Sequence, residues 1–130
     1  MKLPEGFVTV FPYMFVNGAT DYSAFLVKAF GAVEHLRSVR PDGVIANIQM
    51  KIGTSIFMLS EANEQYPAMQ SAYYIYVENA DLAMEQALKA GATLEMEVAD
   101  MPYDDRQGGV RDPFGNIWWI SQRLVDGPYK

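Results

Sequence analysis

Apolar and polar positions along the chain change period in a set order, and the same order occurs twice. Residues 9–16 are almost continuously aromatic, β-branched or otherwise apolar, the pattern of a strand packed on both faces. Asn17-Gly18 breaks that run. Tyr22, Phe25, Leu26 and Ala29 then recur at helical spacing, which predicts a helix over 20–30 that stops at Gly31. Strand-like runs follow at 33–38, 44–51 and 55–60. Pro41-Asp42-Gly43 separates the first two, with proline presetting φ and glycine admitting positive φ. Gly53-Thr54 makes a hairpin turn between the last two. The second half predicts a strand at 72–77, a helix at 80–90 with Asn79 or Asp81 as cap, and strands at 93–98, 107–112 and 116–122. The last two strands turn around Pro113-Phe114-Gly115.

Sliding the chain by 61 residues superposes the two halves without a gap. Tyr13 meets Tyr74, Val16 meets Val77, Ala19 meets Ala80, Lys28 meets Lys89, Glu34 meets Glu95, Ile56 meets Ile117 and Ser60 meets Ser121. The expectation is therefore one α+β domain over 1–130, built from two βαβββ repeats. Repeat one covers about 8–60, a linker 61–71, repeat two 72–122 and a loose polar tail 123–130. The two units are expected to form one curved mixed sheet, with the helices on its outer face and a concave cup on the inner one.

Composition narrows the chemistry. Ten basic and 16 acidic side chains leave a formal charge of −6, which opposes a nucleic-acid footprint or docking on anionic lipid. The apolar run near the N-terminus is shorter than the roughly 20 residues a bilayer span needs, so a cytoplasmic protein is expected. With no cysteine, thiolate nucleophiles, disulfides and cysteine-held zinc are excluded. There is a single histidine, His35, so no site in one chain can use several imidazoles.

Several stretches carry a family resemblance. Pro12-Tyr13-Met14-Phe15-Val16-Asn17-Gly18-Ala19, followed by Lys28-Ala29-Phe30-Gly31-Ala32, resembles the opening of the glyoxalase/bleomycin-resistance/dioxygenase (vicinal oxygen chelate) superfamily, in particular its PhnB-like branch. The segment from Asp105-Arg106 to Arg111-Asp112-Pro113-Phe114-Gly115-Asn116-Ile117-Trp118 is similar to that branch's closing signature, and Lys89-Ala90-Gly91-Ala92 is also typical. The resemblance covers residues 8–122. It implies a divalent metal held by His and Glu on four strands. Matched by motif, those positions are Phe11, Met58, Ala72 and Trp119 in this chain. The nearby places where the branch sometimes has histidine are Asn47 and Tyr74. No hard-metal donor stands at the four positions, so neither a cofactor nor catalytic residues are expected.

Alternation along strands then predicts what lines the cup. Phe11, Tyr13, Phe15 and Met58 face inward from repeat one, joined by Asn47 and Gln49. Tyr74, Tyr76 and Trp119 face inward from repeat two, and Arg106 reaches over as a polar contact. Flat rings with a few polar tips suit an aromatic or amphipathic small molecule, held by stacking and favoured if cationic. The function expected is metal-independent binding that sequesters an aromatic or antibiotic-like ligand, in a homodimer. The alternatives are plain core or interface packing for the rings, or a lyase, isomerase or dioxygenase activity. His35 could then act as a base, though an edge-strand surface histidine is the simpler reading. Asp104-Asp105-Arg106 reads as a solvated turn, Glu34 and Glu95 as solvent-facing, and Gly108-Gly109 as a bulge or close backbone approach.

Overall fold

The computed structural model describes residues Met1–Lys130, which divide into two compact units, Met1–Met69 and Gln70–Lys130. The first unit contains β1 (Tyr13–Val16), α1 (Ala19–Phe30), β2 (Val33–Val39), β3 (Ile45–Ile52) and β4 (Ser55–Glu61). The second contains β5 (Ala72–Tyr76), α2 (Ala80–Lys89), β6 (Thr93–Asp100), β7 (Asp105–Arg111) and β8 (Ile117–Arg123). The division falls inside the stretch expected to be a linker.

In the first unit the strands run in the order β1-β4-β3-β2, with β1 parallel to β4 and the other pairs antiparallel. Helix α1 covers one face. Tyr22 and Leu26 from the helix meet Ile48, Met50 and Leu59 from the sheet, all of them 0 % exposed. Each such side chain contributes about 1.5–3 kcal/mol by leaving water. The helix begins at Gly18, whose φ of 92° suits glycine and which has no side chain to cap the first turn. Glu61, the last residue of β4, supplies the cap instead: its carboxylate accepts from the Gly18 amide at 2.8 Å and the Ala19 amide at 2.9 Å. A carboxylate there also meets the positive end of the helix dipole. At the other end, the amides of Gly31 and Ala32 donate back to Val27 and Leu26.

The second unit repeats the plan, β5-β8-β7-β6 with α2 on one face. Its registers reproduce the offset of 61: Tyr13 pairs with Met58 in one sheet and Tyr74 with Trp119 in the other. Asn79 caps α2 by accepting from the Leu82 amide at 3.0 Å. Gln122, at the position equivalent to Glu61, accepts from the Ala80 amide at 3.0 Å. Asp112 holds the β7–β8 turn. Its Oδ1 accepts from the amides of Phe114 and Asn116, and its Oδ2 accepts from the Trp118 indole at 2.9 Å. The Asp-Pro-x-Gly signature is thus explained by turn and core construction. Gly108 and Gly109 serve opposite faces. A Cβ on Gly108 would meet Val98 and Met84 within 3 Å, and one on Gly109 would lie 2.6 Å from the Trp119 ring.

Three expectations need correction. The strands do not form one curved sheet with a concave cup. They form two separate four-stranded sheets, each an open row with a parallel pair at one end, and neither closes on itself. The tail after β8 is not a loose end: Tyr129 donates to Asp105 at 2.6 Å, and its ring carries the Arg123 guanidinium 4.3 Å above the centroid. Asp104-Asp105-Arg106 is not a solvated turn, because Asp105 opens β7 and is 0 % exposed. No helix is long and apolar enough to cross a membrane.

Candidate functional site

In the first unit, the sheet face opposite α1 is overlaid by the N-terminal segment. Gly6 lies against Ile56, where an added Cβ would be 2.9 Å from the Ile56 side chain. Phe7 and Phe11 meet with centroids 5.0 Å apart. Between this segment and the sheet is a cavity of about 370 Å³, lined by Leu3, Pro4, Glu5, Phe7, Val8, Thr9, Phe11, His35, Gln49 and Met58. Its volume is at the lower end of the range typical of small-molecule sites, roughly 300–1,000 Å³.

Backbone register places these side chains. Gln49 of β3 and Met58 of β4 are direct cross-strand partners, and Tyr13 of β1 is Met58's partner on the other side. His35 follows Glu34 and so turns to the cavity face by alternation, and the bulge between Glu34 and Leu36 returns Arg37 to the other face. The residues around it turn the other way, toward α1: Glu34 accepts from Ser23 at 3.2 Å, and Arg37 Nη1 donates to Thr20 at 3.1 Å. The Arg37 hydrogen bond is the main cause holding the Glu34 carboxyl below the ordinary range. Glu34 is therefore paired with Arg37 while staying exposed, in keeping with the solvent-facing position expected.

Three of the expected ligand residues, Phe11, Gln49 and Met58, are brought together in this cavity. Tyr13 is their neighbour and is 46 % exposed. Phe15 lies farther along β1, stacked on Tyr66 at 5.3 Å. Asn47 stands two residues along β3 from Gln49, opposite Ser38. The contribution of residues 3–9 was missed; Phe7 and Phe11, four apart in the apolar run, were the available signal.

In the second unit, Tyr74, Tyr76 and Trp119 share the face opposite α2. Tyr74 pairs with Trp119 in register, and Trp119 lies across Gly109. The Tyr74 hydroxyl donates to Asp105 at 2.5 Å and the Tyr76 hydroxyl meets that of Tyr129. Burial, followed by the Asp105 hydrogen bond, raises the Tyr74 phenol above its ordinary range. Arg106 faces α2 instead. Its guanidinium donates to Asp81 at 2.8 and 3.0 Å and to Asp100 at 3.0 Å, so it does not join the tyrosines. Asp105 was missed as a site residue. Carrying the parity of Gln107 back by two positions would have placed it on the Tyr74 face.

The four positions implied for a metal do not fit one. Phe11 and Met58 in the first unit and Ala72 and Trp119 in the second offer one thioether and no oxygen or imidazole donor. No three His, Asp or Glu side chains gather in a metal-holding group anywhere in the chain.

Comparison with known proteins agrees with this architecture. The profile of the Glyoxalase/Bleomycin resistance protein/Dioxygenase superfamily matches residues 9–120. The chain is 32 % identical over 122 residues to the uncharacterized protein Mb0911c of Mycobacterium bovis, covering 85 % of this chain and 80 % of that one. TioX from Micromonospora sp. ML1 superposes with a TM-score of 0.76 at 22 % identity, covering 91 % of this chain and 99 % of that one. TnmS3, an antibiotic binding protein from Streptomyces sp. CB03234, superposes with a TM-score of 0.71 at 15 % identity, covering 89 % and 97 %.

Proposed function

This chain belongs to the Glyoxalase/Bleomycin resistance protein/Dioxygenase superfamily, and from that premise we propose that it is a metal-independent binding protein that sequesters an aromatic or antibiotic-like small molecule unchanged. The observation that carries this reading is the 370 Å³ cavity of the first unit. Phe11 and Phe7 offer ring faces and edges, and the Met58 thioether packs favourably against an aromatic guest. Gln49 supplies a donor and an acceptor to orient it. Glu5 at the rim and the overall charge of −6 favour a neutral or cationic ligand. The antibiotic-binding description of TnmS3 supports the same class of role. Within the family we place the chain in the PhnB-like branch, on its Asp112-Pro113-Phe114-Gly115 signature. We also propose that it works in the cytoplasm as a homodimer. Val33, Leu36 and Val39, all more than half exposed on the edge strand β2, are apolar surface available to a second copy.

A second reading, a lyase, isomerase or dioxygenase, is favoured by one observation: the imidazole of His35 borders the cavity. Two measurements on purified protein separate the readings. Incubation with the planar cation proflavine, followed by mass analysis, returns the dye unchanged if the protein is a binder. Stoichiometric, tightly held Mn, Fe, Ni or Zn found by metal analysis after dialysis would overturn the metal-independent reading.

A further inference from the structure

The second sheet carries a buried carboxylate that the cavity of the first unit does not involve. Asp105 is 0 % exposed on the face opposite α2. Its Oδ1 accepts from Arg123 Nη1 at 3.0 Å. Its Oδ2 accepts from two phenols, Tyr74 at 2.5 Å and Tyr129 at 2.6 Å. Tyr74 and Arg123 belong to the sheet, whereas Tyr129 is carried by the tail beyond β8.

Each feature of the Tyr129 side chain meets a group of the folded unit. The hydroxyl donates to Asp105 and also meets Tyr76. The ring face lies 4.3 Å beneath the Arg123 guanidinium, and the Tyr103 ring approaches edge-on with centroids 6.5 Å apart. The rest of the tail is held by few bonds: the Leu124 amide to Asp104 O, and Arg123 Nη2 to the carbonyls of Gly127 and Pro128 at 3.4 and 3.3 Å. Residues 124–130 are exposed, Tyr129 itself at 49 %.

We propose that Asp105, Tyr74, Tyr76, Arg123 and Tyr103 form a binding site for a hydroxylated aromatic small molecule, a phenol, and that Tyr129 is a tethered occupant which that molecule displaces. The argument is independent of the first unit's cavity. A carboxylate gives a phenolic O–H a charge-assisted bond, stronger than a neutral one. An aromatic without the hydroxyl leaves that buried acceptor short of a donor, which is how a polar site rejects an analogue lacking the group. Burial acts to raise the Asp105 carboxyl, and the bonds from Tyr129, Tyr74 and Arg123 outweigh it, keeping the group an anionic acceptor at neutral pH. A tethered side chain competes at an effective concentration in the ~mM range, and a lightly held terminal segment opens at little cost. Removing the tethered phenol therefore raises the apparent affinity of a free one.

The test is calorimetric titration of the full chain with p-cresol, which is the tyrosine side chain without its backbone, and with toluene as the analogue lacking the hydroxyl. The expected result is that p-cresol binds Tyr129→Ala about tenfold or more tightly than wild type, while toluene shows no comparable gain. Equal affinities of p-cresol for the two proteins, equal affinities of the two probes for Tyr129→Ala, or a folded Tyr129→Ala that takes up no p-cresol would each overturn the proposal. If Tyr129→Ala does not fold, Tyr129→Phe keeps the ring and removes only the hydroxyl. It must then bind p-cresol several-fold more tightly than wild type, and an unchanged affinity overturns the proposal. Any p-cresol taken up by the first unit's cavity is common to wild type and variant, so the difference between the two proteins reads the second site alone.

Discussion

Glu34 and Arg37 form an ion pair of 2.6 Å although they stand three residues apart on one strand. A regular strand would send them to opposite faces. The bulge between Glu34 and Leu36 resets the alternation, so that both turn to α1, and His35 borders the cavity on the other face. His35 is the only histidine, so its imidazole signals in a proton NMR spectrum need no assignment. They are expected to shift when proflavine is added. Signals that stay in place while the dye binds would put the dye elsewhere.

Glu61 and Gln122 occupy equivalent positions and cap the two helices from the ends of β4 and β8. Glu61→Ala should lower stability by about 1–2 kcal/mol, the usual loss on removing an N-terminal cap. Glu61→Gln should lose less, since the amide can still accept one bond, as Gln122 does. Urea denaturation of the two variants checks the order; no loss in either variant would show that the carboxylate is not acting as a cap.

Gly109→Ala should destabilise the protein by about 1–3 kcal/mol, as overpacking does. The new Cβ would lie 2.6 Å from a rigid indole, which has no small adjustment available to it. Gly108→Ala meets the flexible Met84 side chain at 2.9 Å as well as Val98 at 2.8 Å, and should cost less. Tryptophan emission distinguishes them further, because only the Gly109 change forces Trp119 to move.

The docking of the tail should depend on pH in two opposite senses. The Asp105 carboxyl is depressed on folding, so its contribution is present above the ordinary aspartate value near 3.9 and is lost as pH falls through the depressed one. The Tyr129 phenol is raised, chiefly by the hydrogen bond to Asp105. Its contribution is therefore present below about pH 10 and is lost as pH rises through the raised value. Among the eight tyrosines, Tyr129 should ionise late in an alkaline absorbance titration, and Asp105→Asn should bring it earlier. Eight phenols that titrate together near pH 10 in wild type would contradict this.

The repeat was legible because each βαβββ unit must bury a helix stripe against one sheet face, which imposes the same apolar spacing twice. Tyr22, Leu26, Ile48 and Leu59 follow directly from that spacing. Strand parity likewise put Gln49 with Met58 and Tyr74 with Trp119. What was not legible is where parity fails or where chain without regular structure folds back. The β2 bulge has no distinctive residue, and the pairing of Glu34 with Arg37 depends on it. Residues 3–9 and Tyr129 cover sheet faces as irregular chain, which has no period to read. Arg106 was displaced from its expected role by Asp81, a pairing between residues 25 apart that no local pattern reveals. The single curved sheet failed for a related reason: repetition along the chain predicts two similar units, but not that their strands join.

The central claim is that the hollow bordered by Phe11, Gln49 and Met58 holds a planar aromatic molecule. Gln49→Trp fills a cavity of about 370 Å³ from a half-buried strand position. The deciding measurement is a proflavine fluorescence titration of wild type and Gln49→Trp, each shown to be folded by circular dichroism. Saturable binding of one dye per chain by wild type, lost or weakened at least about tenfold in the variant, is the predicted result. Equal binding by both proteins, or none by wild type, would contradict it.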